Sequence, residues 1–81
     1  MGRDYVVEKV NEFLIDEFEL EPEQLIPDAL MKDDLDIESL DFVDIAVIIE
    51  KEFKLKVTSE QMVKIKKLDD LYIFILEAQK N

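Results

Sequence analysis

Apolar residues recur at helical spacing in most of this chain and lose that spacing in one long stretch. Val6, Val7, Val10, Phe13, Leu14 and Phe18 follow a 3.6-residue period, which predicts a helix from about Tyr5 to Phe18 with one buried face. Asp4 is the N-cap that this boundary predicts. Glu8, Lys9, Glu12, Asp16 and Glu17 fill the opposite side and read as a solvated face.

From Glu19 to Glu38 the period fails. Pro22 and Pro27 prevent a long helix, because proline lacks the N–H that a helix interior needs and restricts the residue before it. Leu20, Leu25, Ile26, Leu30, Met31 and Leu35 still recur, so the loop is expected to pack on the core, with a single helical turn near Glu21–Leu25. A loop of about twenty residues is long for a compact domain, and such loops are more often functional than not.

A second helix is predicted over Ser39 to Phe53. Phe42, Ile45, Ala46, Ile49 and Phe53 form a core stripe, while Leu40, Val43 and Val47 form another on a flank. A surface helix needs only one. The second stripe is either further core or a shallow apolar strip, framed by Asp41, Asp44 and Glu50, that partners grip.

Thr58 and Gln61 have capping-box spacing and predict a short helix from about Ser59 to Val63. After the basic link Lys64-Ile65-Lys66-Lys67, a last helix is predicted over Leu68 to Gln79. Asp69 and Asp70 in its first turn, and Lys80 beyond its end, suit the helix dipole. Leu68, Leu71, Tyr72, Ile75 and Leu76 would face the core. Ile73 and Phe74 leave this helix apolar nearly all round, which fits either a well-covered helix or a self-association surface. The fold class is all-α: a small four-helix bundle of three longer helices and one short one, with a long loop between helices 1 and 2. No internal repeat or low-complexity segment is present, and residues 1–81 are expected to form one domain.

Composition narrows the chemistry. A chain of 81 residues buries about 60% of its unfolded surface, which leaves little room for an enclosed catalytic cleft. A hydrophobic fraction of 48% is enough for a core despite 38% charged residues. The absence of cysteine and histidine removes disulfides, protein thiolates, the usual zinc sites and the side chain best suited to proton transfer near neutral pH. A non-catalytic protein is expected. The net charge of −11 disfavours nucleic acid and anionic membranes and steers basic protein surfaces toward the molecule. Residues 33–44 hold six acids and no base, whereas Lys64, Lys66 and Lys67 cluster elsewhere. No secretory signal is visible, no apolar run reaches about 18 residues, and Val6 stands where N-myristoylation would want Ser or Thr. A cytoplasmic protein without membrane insertion is expected.

One hydroxyl, Ser39, lies among the six carboxylates of the run Asp33 to Asp44, where the irregular segment gives way to the second helix. Serine at a helix start is an ordinary N-cap. Here, however, Asp36-Ile37-Glu38-Ser39-Leu40-Asp41-Phe42-Val43-Asp44, then Glu50-Lys51-Glu52-Phe53, then Val57-Thr58-Ser59-Glu60 and Lys64 to Leu71, follow one another at matching spacing over nearly the whole chain in an order that resembles acyl carrier proteins. That resemblance implies that Ser39 receives 4′-phosphopantetheine from coenzyme A on a magnesium-dependent phosphopantetheinyl transferase, and that the arm's thiol then holds acyl groups as thioesters. It also implies that acyl-transfer and synthase enzymes with basic docking surfaces bind Asp36, Glu38, Leu40, Asp41, Val43, Asp44, Val47 and Glu50, and that the chain acts as a monomer.

Three positions depart from the family pattern. Glu38 replaces the aspartate usual before the serine, Asp36 stands where glycine normally follows the leucine, and Phe42 is larger than the usual Thr or Leu. Asp36 suits a left-handed backbone better than most residues, and Phe42 would narrow an acyl-holding cavity. These changes and the basic link point to a specialised pathway. Other readings stay open. A calcium loop starting at Asp34 has carboxylates at positions one, three and five, but Ser39 stands where glycine is required and Ile45 where a bidentate Glu is needed. An unmodified acidic interaction domain would use the same helix without an arm. A peptidyl or aminoacyl carrier would ordinarily show a Leu-Gly-Gly lead-in, which is absent.

Overall fold

The computed structural model describes residues 2–79. Its helices are α1 (Arg3–Phe18), α2 (Ser39–Phe53), α3 (Ser59–Met62) and α4 (Leu68–Gln79), with a single 3-10 turn at Pro22–Gln24 inside the long connection. The described residues form the expected all-α bundle of three longer helices and one short one. The limits of α2 and α4 agree with the apolar period.

α1 starts earlier than its pattern predicts. Gly2 is the cap, with extended backbone (φ −87°, ψ 162°), and Asp4 lies inside the first turn. There its carboxylate favours the positive end of the helix without capping it. α1 and α2 both end on a left-handed residue, Glu19 and Lys54, each at φ 55°. α3 begins as its capping box requires: Thr58 N–H donates to Gln61 Oε1 at 2.9 Å, and Gln61 N–H donates to Thr58 Oγ1 at 3.3 Å. Lys80 lies outside the described residues.

One apolar core joins the elements. Val6, Val10, Phe13 and Leu14 of α1 meet Ile45, Ile49 and Phe53 of α2 and Leu68, Leu71, Tyr72 and Ile75 of α4, and no polar or charged residue is buried among those described. Val7, Phe18, Phe42, Ala46 and Leu76 pack against this core while half-buried. Ile73 remains 43% exposed, so the apolar circumference of α4 is only partly covered.

The long connection is built into the core, though not through every residue its spacing indicated. Ala29 and Met31 are buried while Ile26 and Leu30 are exposed. The reason is a short extended register: Leu30 forms an antiparallel bridge with Lys67, so its two neighbours point inward and it points out. Met31 N–H donates to Lys66 O at 2.9 Å, and the first N–H groups of α4, on Leu68 and Asp69, donate to Ala29 O and Pro27 O at 2.8 and 3.0 Å. The loop thus supplies acceptors that a helix start otherwise lacks. Ile37, which the spacing did not single out, is also buried.

α1 and α4 are tied by polar contacts at their edge. Arg3 pairs with Asp69 and lies 5.5 Å from the centroid of the Tyr72 ring, while the Tyr72 hydroxyl donates to Asn11 Oδ1. Burial pushes the Tyr72 phenol up to about 12, outweighing the downward pull of the nearby Arg3 charge.

Candidate functional site

The segment before α2 places Ser39 at the surface by a sequence of local constraints. Leu30 N–H donates to Asp34 Oδ2 at 2.8 Å, and Asp34 and Leu35 N–H donate back to Leu30 O at 2.9 and 3.1 Å, closing a tight turn. Asp36 then adopts a left-handed backbone, φ 55°, in the position where a glycine would be conventional. That reversal lets Ile37 N–H reach Met31 O at 2.9 Å and puts Ile37 into the core. Glu38 and Ser39 emerge on the outside, both exposed.

Ser39 is not the cap of α2. Glu38 holds the capping position with extended backbone, φ −99° and ψ 174°, and Ser39 is the first helical residue. The Glu38 N–H donates to Asp41 Oδ2 at 3.0 Å, and Asp41 and Phe42 N–H donate to Glu38 O at 2.9 and 3.2 Å. The ordinary role of a serine at a helix start is thereby filled by its neighbours. The Ser39 hydroxyl has no hydrogen-bond partner among the described residues.

The flank of α2 beyond Ser39 is apolar and open. Leu40, Val43 and Val47 are 82%, 52% and 48% exposed, on one face by their three- and four-residue spacing. Glu38, Asp44 and Glu50 are exposed around them, Asp41 is half-buried, and Asp36 is exposed at the turn. All eight acidic and apolar residues that the resemblance assigns to partners therefore belong to α2 or the turn that leads into it. None of the six carboxylates in 33–44 is ion-paired among the described residues.

On its other side, Ser39 borders a cavity of about 370 Å³, at the small end of the range for ligand sites. Leu30, Met31, Phe42, Val63 and Ile65 make its apolar walls, and Lys32, Asp33, Ser39 and Lys66 its polar edge. A smaller hollow of about 240 Å³ is lined by Lys32, Glu38, Ser39 and Leu40. Phe42 is half-buried and forms part of the larger cavity's wall. Sequence reasoning missed Lys32, Val63 and Ile65 as neighbours of Ser39. One signal existed for Lys32: it is the only base between residues 10 and 50, against fourteen acids. No comparable signal marks Val63 and Ile65, which belong to the link between α3 and α4.

These features define a small helical protein in which an exposed, unpartnered serine, Ser39, stands at a helix start between an apolar strip and an apolar cavity. The chain belongs to the phosphopantetheine attachment site family, whose model matches residues 8–75. Its fold is that of an acyl carrier protein. It is similar to the crystal structure of an acyl carrier protein from Thermotoga maritima, with a TM-score of 0.84 and 25% identity over 99% of this chain and 93% of that one. No curated protein matches the chain. The cofactor of this family is covalently attached 4′-phosphopantetheine.

Proposed function

We propose that this chain is an acyl carrier protein that holds acyl intermediates as thioesters on a 4′-phosphopantetheine arm attached to Ser39. The observation that carries the reading is the state of Ser39 itself: exposed, first in α2, relieved of capping by Glu38 and Asp41, and bordering an apolar cavity. Its hydroxyl is free to act as the nucleophile that displaces part of coenzyme A on a phosphopantetheinyl transferase. When bound, the arm supplies the thiol that the chain, with no cysteine, does not have. The anionic phosphate of the arm would sit at the positive end of α2.

The remaining residues recruit and orient, and the chain itself catalyses nothing. Leu40, Val43 and Val47 offer an apolar strip, and Asp36, Glu38, Asp41, Asp44 and Glu50 surround it with negative charge. Enzymes with basic docking surfaces are steered to such a face, and the encounter is fast, weak and sensitive to salt, because exposed charge is screened over about 8–10 Å at physiological ionic strength. The pathway is one of fatty-acid, polyketide or related specialised acyl biosynthesis in the cytoplasm, with the carrier acting as a monomer and a single domain.

The direct test is intact mass after incubation with coenzyme A, magnesium and a broad-specificity transferase. Wild type gains one phosphopantetheine and Ser39→Ala gains none. No addition to wild type with several transferases would remove the carrier reading, and addition to Ser39→Ala would move the attachment to another residue.

A further inference from the structure

The surroundings of Ser39 pose an electrostatic problem, and two bases border the larger cavity beside it: Lys66 lines that cavity alone, whereas Lys32 also lines the smaller hollow on the serine. A phosphodiester on this hydroxyl would stand next to Glu38 and near Asp36 and Asp41, and like charges disfavour it there. The chain from residue 10 to residue 50 has fourteen acids and the single base Lys32. That base is seven positions from Ser39 in sequence, yet it lines both hollows that flank the serine, the larger of about 370 Å³ and the smaller of about 240 Å³.

Its placement is built rather than incidental. Lys32 sits within the turn closed by the Asp34 and Leu35 N–H bonds to Leu30 O and by the Asp34 carboxylate on Leu30 N–H. Buried Met31 fixes one side of that turn, and buried Leu35 the other. Asp33 and Asp34 are its immediate neighbours, yet Lys32 forms no ion pair among the described residues. The Asp34 carboxylate is occupied with the turn's own backbone. Lys32 is thus an exposed, uncommitted cation held beside the one serine that would acquire an anion.

We propose that Lys32 is a positioning residue for the arm: it supplies the counter-charge for the phosphate borne on Ser39, offsetting the repulsion of Glu38, Asp36 and Asp41. This rests on Ser39 being the attachment point. It adds that the carrier's loop, and not only α2, holds the base of the arm. Lysine suits the task as a compact point charge on a flexible stem, able to reach an anion without demanding one geometry.

The test is a thermodynamic cycle between Lys32 and the arm, read by thermal melting rather than by activity. Wild type, Lys32→Gln, Lys32→Arg, Lys32→Met and the distant control Lys51→Gln are compared in apo form and after loading with coenzyme A, with intact mass showing that each carries the arm. The expected result is that loading lowers the melting temperature of Lys32→Gln and Lys32→Met by about 2–4 °C more than that of wild type at low salt. Lys32→Arg and Lys51→Gln behave as wild type, and the difference collapses near 0.5 M salt, where the screening length falls to about 4 Å. The ³¹P resonance of the loaded protein shifts between wild type and Lys32→Gln. Equal melting changes in apo and loaded forms, or a difference insensitive to salt, would overturn the proposal and leave Lys32 a mere turn residue. A failure of wild type to gain the arm would show in the mass alone and would instead overturn the assignment of Ser39.

Discussion

The backbone N–H of Glu38 donates to the Asp41 carboxylate at 3.0 Å, so one acid on the candidate docking face also caps the helix that carries it. Two functions therefore overlap at Asp41 and separate at Asp44, which is exposed and makes no such bond. Asp41→Ala should lower stability by about 1 kcal/mol, near 4–8 °C in melting temperature for a chain of this size. Asp41→Asn keeps an acceptor and removes the charge, so it should melt close to wild type while docking more weakly. Asp44→Lys should weaken docking with the fold intact. Transferase kinetics beside melting curves separate the three; equal melting of Asp41→Ala and Asp41→Asn would mean that the bond contributes nothing.

Because Glu38 and not Ser39 caps α2, removing the serine hydroxyl should cost little. Ser39→Ala is expected to melt within about 0.5 kcal/mol of wild type, since the side chain is exposed and unpartnered and alanine favours the helix. Loss of a true cap would cost about 1 kcal/mol. Circular dichroism melts of the purified variant decide between these values, and they also show whether its failure to accept an arm is chemical or structural.

Asp36 gives the turn its direction through a left-handed backbone, at φ 55°. Asp36→Gly should leave stability within about 1 kcal/mol, because glycine adopts this region freely but loses more entropy on folding. Asp36→Val should lower it by about 1–2 kcal/mol or more, since a β-branched residue is poorly tolerated there. Urea titration measures both. A valine variant as stable as wild type would show that the turn can be made another way.

Tyr72 adds a pH dependence on the alkaline side. Its folded-state value of about 12 is raised by burial from an ordinary 10, so the folded protein holds the phenolic proton more tightly than the unfolded chain. Stability from this residue is fully present below pH 10 and is lost as pH rises toward 12. Tyr72→Phe, which cannot ionise, should unfold less steeply over that interval in denaturant titrations, while losing the bond to Asn11 at neutral pH. Identical alkaline limbs would contradict the assignment.

The sequence by itself determined what depends on neighbours in the chain. The apolar period located α2 and α4, Thr58 and Gln61 announced the start of α3, and the Asp36 side chain allowed the left-handed turn that the backbone adopts. These are local properties, set by helix geometry and by the steric freedom of single residues. The exposure of Leu40, Val43 and Val47 on one flank follows from the same helical spacing within α2. Tertiary structure decided the rest. The bridge between Leu30 and Lys67 turned Ala29 and Met31 inward and Leu30 out, although composition alone favoured Leu30 for the core. Competition for the N–H groups at the start of α2 gave the cap to Glu38 and released Ser39, and packing of the loop brought Lys32, Ile65 and Lys66 around that hydroxyl. Such assignments arise from which groups meet across the fold, and no spacing along the chain records them.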